Sequence, residues 1–312
     1  MADRANFKDD YTLLKALLSV RSPSGEEAAM KDFILNHIRS RPELFSRWEV
    51  ISGYPIQDCL MLKAGNPGFA IFVHMDTVGF TVRYENQLLP VGSPDFESQA
   101  VITGKDSLGE IECQVKSDTN GRLFHNFGRP IDRGTSLVFK PFYNESPRYI
   151  EAPCLDNRVG IYISLRLMES IRDGMIVFSS WEESGGGSVP NLAKIIFEEF
   201  KISRALINDV TWVTDGVHPG KGTVVSLRDR YIPRQSFVRN IISILAGTSL
   251  SYQLEVEGEG SSDGGEIQRS PYPIDWCFIG PPVENTHSPH EKVHKKDIIS
   301  ALDVYCKLSE NL

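Results

Sequence analysis

Val177-Phe178-Ser179-Ser180-Trp181-Glu182-Glu183-Ser184-Gly185-Gly186-Gly187 sets an apolar run against two adjacent carboxylates and three glycines. A run of that length reads as a buried strand, and the glycines release the backbone from strand geometry just past the acids. Neighbouring carboxylates at the end of a buried strand repel each other and lose hydration. A cation must offset that cost, or one of them must stay protonated. A metal ion meets both demands, with one Glu as ligand and the other beside it as a base toward water. The competing reading turns one Glu to solvent and uses the other to cap the next helix.

Working outward, residues 69–73 form a second continuous apolar run, which delivers His74-Met75-Asp76-Thr77 at its C-terminal end. Residues 204–208 read as a strand that delivers Asp209, and further strands are expected at 48–51, 59–62, 222–227 and 274–279. Helical patterns occupy 10–19, 155–170, 191–200, 233–246 and 295–308, with a short helix capped by Ser262-Asp263-Gly264. Ser24-Gly25-Glu26-Glu27 reads as a capping box opening a helix to about Ile38. Strands alternating with helices imply an α/β fold with a mainly parallel sheet sandwiched by helices. From 79 to 149 the texture changes to short β-prone pieces broken by turns, among them Asp118-Thr119-Asn120-Gly121. The expected organisation is an α/β domain built from 1–78 and 150–312, with a small β-rich domain, 79–149, inserted into it.

The 312 residues are 41% hydrophobic and 24% charged, as in an ordinary soluble globular chain. A net charge of −8 without a basic block leaves no electrostatic footprint for nucleic acid, and slightly favours cationic substrates. No stretch reaches the roughly 18 apolar residues of a membrane span, and Met1-Ala2-Asp3-Arg4 opens no signal-peptide core. The five cysteines are scattered without disulfide or zinc-knuckle spacing, which suits a reducing cytoplasm.

Ligand-type residues recur where apolar runs end: His74 with Asp76, Asp156, Glu182 with Glu183, Asp209, and His287. In open α/β sheets, ligands bind in the crevice beyond the carboxyl ends of the strands. Each residue alone has an ordinary explanation. His74 could be a hydrogen-bonded core histidine, Asp156 a helix N-cap and Asp209 a loop acid, with Asp215 competing from a turn. His287 competes with His290 and His294. His74 and Asp76, two apart, share a strand face, where a carboxylate can orient the imidazole. Five such stations together favour a metal site.

His74-Met75-Asp76, Leu155-Asp156-Asn157-Arg158-Val159-Gly160, Glu182-Glu183-Ser184-Gly185-Gly186, Asp209-Val210-Thr211 and His287-Ser288-Pro289-His290-Glu291 together resemble the tetrahedral (glutamyl-type) aminopeptidase family. These are co-catalytic metallopeptidases in the clan of the carboxypeptidase-G-like and leucyl aminopeptidases, and the resemblance runs from about residue 10 to 308. It implies an aminopeptidase-like phosphorylase/hydrolase-type fold in which Asp156 bridges two divalent ions, zinc first and cobalt as the alternative. Glu183 and His287 would complete one ion's ligands, and His74 and Asp209 the other's. Glu182 would be the general base and Asp76 the partner of His74. The inserted segment would contribute subunit contacts in a dimer or larger homo-oligomer and partly cover the active site. The chain departs from the family's pattern at Glu284-Asn285-Thr286, where a basic residue is usual, and at Thr77, where an acid is usual.

The expected function is a dinuclear aminopeptidase acting on short peptides in the cytoplasm. Thr77 keeps open a metal-dependent amidohydrolase, deacylase or dipeptidase of the carboxypeptidase-G-like group. A catalytically silent binding relative would have no need of Glu182. Adjacent Glu182 and Glu183 do not suit the roughly 5–9.5 Å separation of a glycosidase pair, and Gly185-Gly186-Gly187 lacks the P-loop and dinucleotide spacings.

Overall fold

The strands Ala70–His74 and Gly174–Ser179 are buried at every residue and lie side by side, parallel, inside an eight-stranded sheet. The computed structural model describes residues 10–96 and 99–312; Met1-Ala2-Asp3-Arg4, where no signal-peptide core is expected, lies outside them. The sheet runs Glu49–Ser52, Leu60–Ala64, Gly174–Ser179, Ala70–His74, Arg204–Ile207, Asp275–Gly280, Thr223–Arg228, Tyr252–Val256. Its four middle strands, Gly174–Ser179 to Asp275–Gly280, are parallel. Antiparallel pairings flank them: Leu60–Ala64 against Gly174–Ser179 on one side, and Thr223–Arg228 against Asp275–Gly280 on the other. The expected mainly parallel sheet is therefore parallel at its centre and mixed as a whole. Continuous apolar runs mark buried strands without fixing their direction.

Side chains alternate across the sheet. Ile71 and Val73 join the core under the helices Leu155–Ser170 and Lys295–Ser309, while Ala70 and Phe72 join the core under Val189–Glu198 and Asp263–Arg269. Among the described residues no helix is long and apolar enough to cross a membrane.

Six strands between Gly79 and Phe139 close into a barrel around a third core. Phe80 and Phe139 meet edge to face there, 5.6 Å between ring centres. Asn144–Glu145 and Tyr149–Glu151 are outside it. They belong to a five-stranded sheet with Lys292–His294, Pro282–Glu284 and Thr211–Trp212. The boundary expected at 149 thus runs past the barrel into this second sheet, whose short strands carry no periodicity to read.

The capping box at Ser24 is also corrected. The helix Ala28–Arg39 has no side-chain cap. Ser24 Oγ donates instead to Asp76 Oδ2 at 2.5 Å, and Glu27 Oε1 accepts the amides of Gly25 and Trp181 at 2.9 and 3.1 Å. Both side chains reach across to the ends of the central strands, where a tertiary partner outweighs a local cap.

Candidate active site

Three adjacent parallel strands deliver the first group of side chains at their carboxyl ends. Ala70–His74 ends in His74 and runs on to Asp76; Gly174–Ser179 leads to Glu182 and Glu183; Arg204–Ile207 leads to Asp209. Asp156 enters from the start of the helix Leu155–Ser170, where it and Asn157 have non-helical backbone angles. The capping bond is made by Asn157, whose Oδ1 accepts the Gly160 amide at 2.9 Å, so Asp156 is not the N-cap that the sequence allowed. His287 comes from the turn between Pro282–Glu284 and Lys292–His294. The competitors stay outside: Asp215 is exposed in its turn, His290 pairs with Glu151 at the surface, and His294 packs edge-on against Tyr149.

Asp156 sits between the two imidazoles. Its Oδ1 lies 3.0 Å from His74 Nε2 and its Oδ2 lies 3.3 Å from His287 Nε2. Each ring nitrogen faces a second carboxylate, His74 Nε2 with Asp209 Oδ1 at 3.3 Å and His287 Nε2 with Glu183 Oε2 at 3.2 Å. One proton on a ring nitrogen can point at only one of two oxygens, whereas a cation can accept nitrogen and both oxygens together. Ligand atoms of His74, Asp156 and Glu183 all fall within 4.8 Å of one another. Glu183 Oε1 is buried with no hydrogen-bond partner. An imidazole and carboxylate set with unmet acceptors fits a divalent cation such as zinc or cobalt.

The electrostatics agree. Burial works against the charge on His74, but Asp209, Asp156 and Asp76 overcome it and raise its pKa well above the usual histidine value. Burial likewise opposes the charge on His287, yet Asp156 and Glu183 push its pKa up to about 12. Burial pushes Glu183 up to about 7 against the pull of His287, and raises Asp209. Glu182 is raised well above the ordinary range by burial, with His74 opposing and Asp209 and Glu183 adding to the rise. The protein alone does not hold enough positive charge here for its carboxylates.

Other groups fix this geometry. Asp76 accepts the amides of Glu182 and Glu183, each at 3.1 Å, while its Oδ1 lies 3.5 Å from His74 Nδ1. Burial opposes its charge, but His74, Ser24 and the Glu183 amide together hold its pKa below the usual carboxylate value. Glu27 takes the amide of Trp181, so two buried carboxylates pin three successive N–H groups of the turn that carries the paired acids. Glu291 does the same elsewhere, accepting the amide of Asp156 at 3.0 Å and that of His287 at 2.7 Å. From the segment after the barrel strand Gln87–Val91, Ser93 Oγ meets His287 Nδ1 at 3.0 Å, and the Asp95 amide donates to the His287 carbonyl. Gly92, at φ +68°, passes so close that a Cβ would stand 3.0 Å from the Glu183 carbonyl.

Glu27, Ser93 and Glu291 belong to the site without being among the ligand-type residues at the ends of apolar runs. Glu291 stood inside the quoted His287 segment; Ser93 carried no signal. Asp263 was read as part of a cap. It is buried, accepts from Ser179 Oγ, and keeps Oδ1 without a partner.

The sequence model of the M42 glutamyl aminopeptidase family matches residues 126–304. A protein of Acetivibrio thermocellus named "Putative aminopeptidase" is 31% identical, over 95% of this chain and 97% of its own. Among solved structures, an aminopeptidase from the archaeon Desulfurococcus kamchatkensis superposes with a TM-score of 0.83 at 21% identity, covering 96% of this chain and 94% of that one. The Pyrococcus horikoshii TET1 peptidase, described as assembling into a tetrahedron or a large octahedral shell, gives 0.80 at 18% identity, over 96% and 99%.

Asp76→Asn places an NH₂ group where the native oxygens take amide hydrogens. It is expected to cost about 1–3 kcal/mol of stability and, by loosening both His74 and the acid pair, to lower peptide hydrolysis about 10–100-fold. Thermal unfolding and peptide assays on the variant check this. Wild-type values in both would contradict the positioning role.

Proposed function

The chain belongs to the M42 glutamyl aminopeptidase family, and on that premise we propose that it removes N-terminal residues from short peptides with two divalent cations. His74, Asp209 and Asp156 would hold the first cation, and His287, Glu183 and Asp156 the second. The observation that carries this reading is the placement of Asp156 between two imidazoles, each matched by its own further carboxylate.

When bound, the cations supply Lewis acidity to the scissile carbonyl and to the attacking water. Glu182 takes a proton from that water at a carboxylate oxygen and returns it to the nitrogen of the leaving amine. Its carboxyl shares a cavity with Asp156, Asp209 and His287. Its backbone is tied to Asp76, so it cannot drift from the crevice. Asp76 orients His74 and takes no proton.

The barrel segment 79–139 acts as an inserted unit that partly covers the site, which the contacts of Gly92 and Ser93 with Glu183 and His287 support. The chain forms a dimer or larger homo-oligomer, as the described assembly of the Pyrococcus horikoshii peptidase suggests. It works in the cytoplasm, where its five cysteines, all free, suit a reducing medium. Light scattering at micromolar concentration is expected to give at least twice the chain mass; a monomer would contradict the assembly.

The two adjacent acids should separate on substitution. Glu182→Gln keeps size and hydrogen bonding but takes no proton, so bound metal stays at full occupancy while kcat falls about 10²–10⁴-fold. Glu183→Gln removes a charged ligand, so metal affinity falls and excess metal restores part of the activity. Elemental analysis with kinetics decides. Metal loss from Glu182→Gln alone would swap the roles, and near-normal turnover in both would end the catalytic reading.

A further inference from the structure

The cavity that holds Glu182 and Asp156 extends away from the central strands toward the edge of the large sheet. Its far side is acidic. The neighbouring parallel strands Thr223–Arg228 and Tyr252–Val256 end there, the first running into Asp229 and the second carrying Glu255 and running on to Glu257 and Glu259. The spacing Glu255-Val256-Glu257-Gly258-Glu259 alternates acids with other residues, and all three acids line the one cavity.

None of these four carboxylates has an ion-pair partner within 4.0 Å among the described residues. Asp229 and Glu255 are only 8% and 4% exposed. Asp229 accepts the Tyr231 amide and Glu255 the Thr211 hydroxyl, which are neutral donors. The nearest cation acting on Asp229 is Arg228, whose guanidinium bonds the Asp229 carbonyl instead. Burial has pushed Asp229 up to about 6 and has raised Glu255. Buried acids without a balancing charge are costly in a resting protein, and an incoming cation relieves them. The wall beside them is apolar, from Phe278 and the half-exposed Trp212, and suits a methylene stem or a guanidinium face. The space is about 90 Å³, room for about three waters, and its outer end is open to solvent at the exposed Glu259.

We propose that this cavity receives the side chain of the substrate's N-terminal residue and selects lysine or arginine there. The inference rests on the aminopeptidase reading above, since it is the reaction centre at one end that makes this the place of the N-terminal residue. The carboxylates grip the ammonium or guanidinium head while Phe278 and Trp212 line its stem. A glutamyl side chain, the one in the family's name, would meet four like charges.

The test is kcat/KM of the metal-loaded enzyme on lysyl, arginyl, leucyl and glutamyl anilides, for wild type and for Asp229→Asn and Glu257→Gln. Glu257 is half-buried at the cavity's outer part, so its variant answers if Asp229→Asn fails to fold. The expected profile favours lysine and arginine over leucine by at least about tenfold and disfavours glutamate most. Either variant should lower the lysine-to-leucine ratio about 10–100-fold. A leucine or glutamate preference overturns the inference and leaves the aminopeptidase reading standing. An equal loss on all four substrates assigns the acids to the α-ammonium group and overturns it too. Silence on every anilide counts against the aminopeptidase reading, and this inference falls with it.

Discussion

Too many carboxylates are buried for the positive charge beside them. Asp76, Asp156, Glu182, Glu183 and Asp209 surround two imidazoles, and their charge draws the imidazoles toward protonation, while the one buried guanidinium nearby, Arg158, spends its hydrogen bonds on neutral oxygens. A pairing of that kind is expensive to bury unless a stronger positive charge completes it. Much of the surrounding architecture holds the acids in place against their repulsion. The three central strands converge on them, the helix Leu155–Ser170 brings Asp156 in from its irregular start, and the barrel segment leans on His287.

The supports share one device. Asp76, Glu27 and Glu291 are buried carboxylates that accept backbone amides on either side of the ligand-type residues. Charge-assisted hydrogen bonds to N–H groups are stronger than neutral ones and fix the chain where it would otherwise have freedom to turn. Asp156 gains further definition from its neighbours. Asn157 bonds the Asn208 carbonyl next to Asp209, and Arg158 is buried with its donors on Met75, Val20 and Ser22. The helix start and two strand ends are thus joined by buried side chains.

The residues brought together at the site were visible in the sequence because each ends an apolar run or stands in a short recognisable segment. His74 and Asp76 follow one buried strand and Glu182 and Glu183 another, and burial at every position of both strands is what their unbroken apolar runs express. The supports were not visible. Ser93 meets His287 across almost two hundred positions of chain, and Ser24 and Glu27 mimic a local cap while bonding Asp76 and Trp181. Local pattern cannot rank a helix cap below a tertiary acceptor. It also cannot give strand direction, so the antiparallel flanks of the sheet and the short strands around Tyr149 and Lys292 emerged only from the fold.

On the proposed function, Asp156 is shared between two cations. Crystals of the zinc-loaded protein, measured on either side of the zinc absorption edge, test it most directly. The predicted map holds two anomalous peaks roughly 3.5–4 Å apart, one beside His74 and Asp209 and one beside His287 and Glu183, with an oxygen of Asp156 on each. A single peak at full loading, or two peaks that Asp156 does not join, would contradict it.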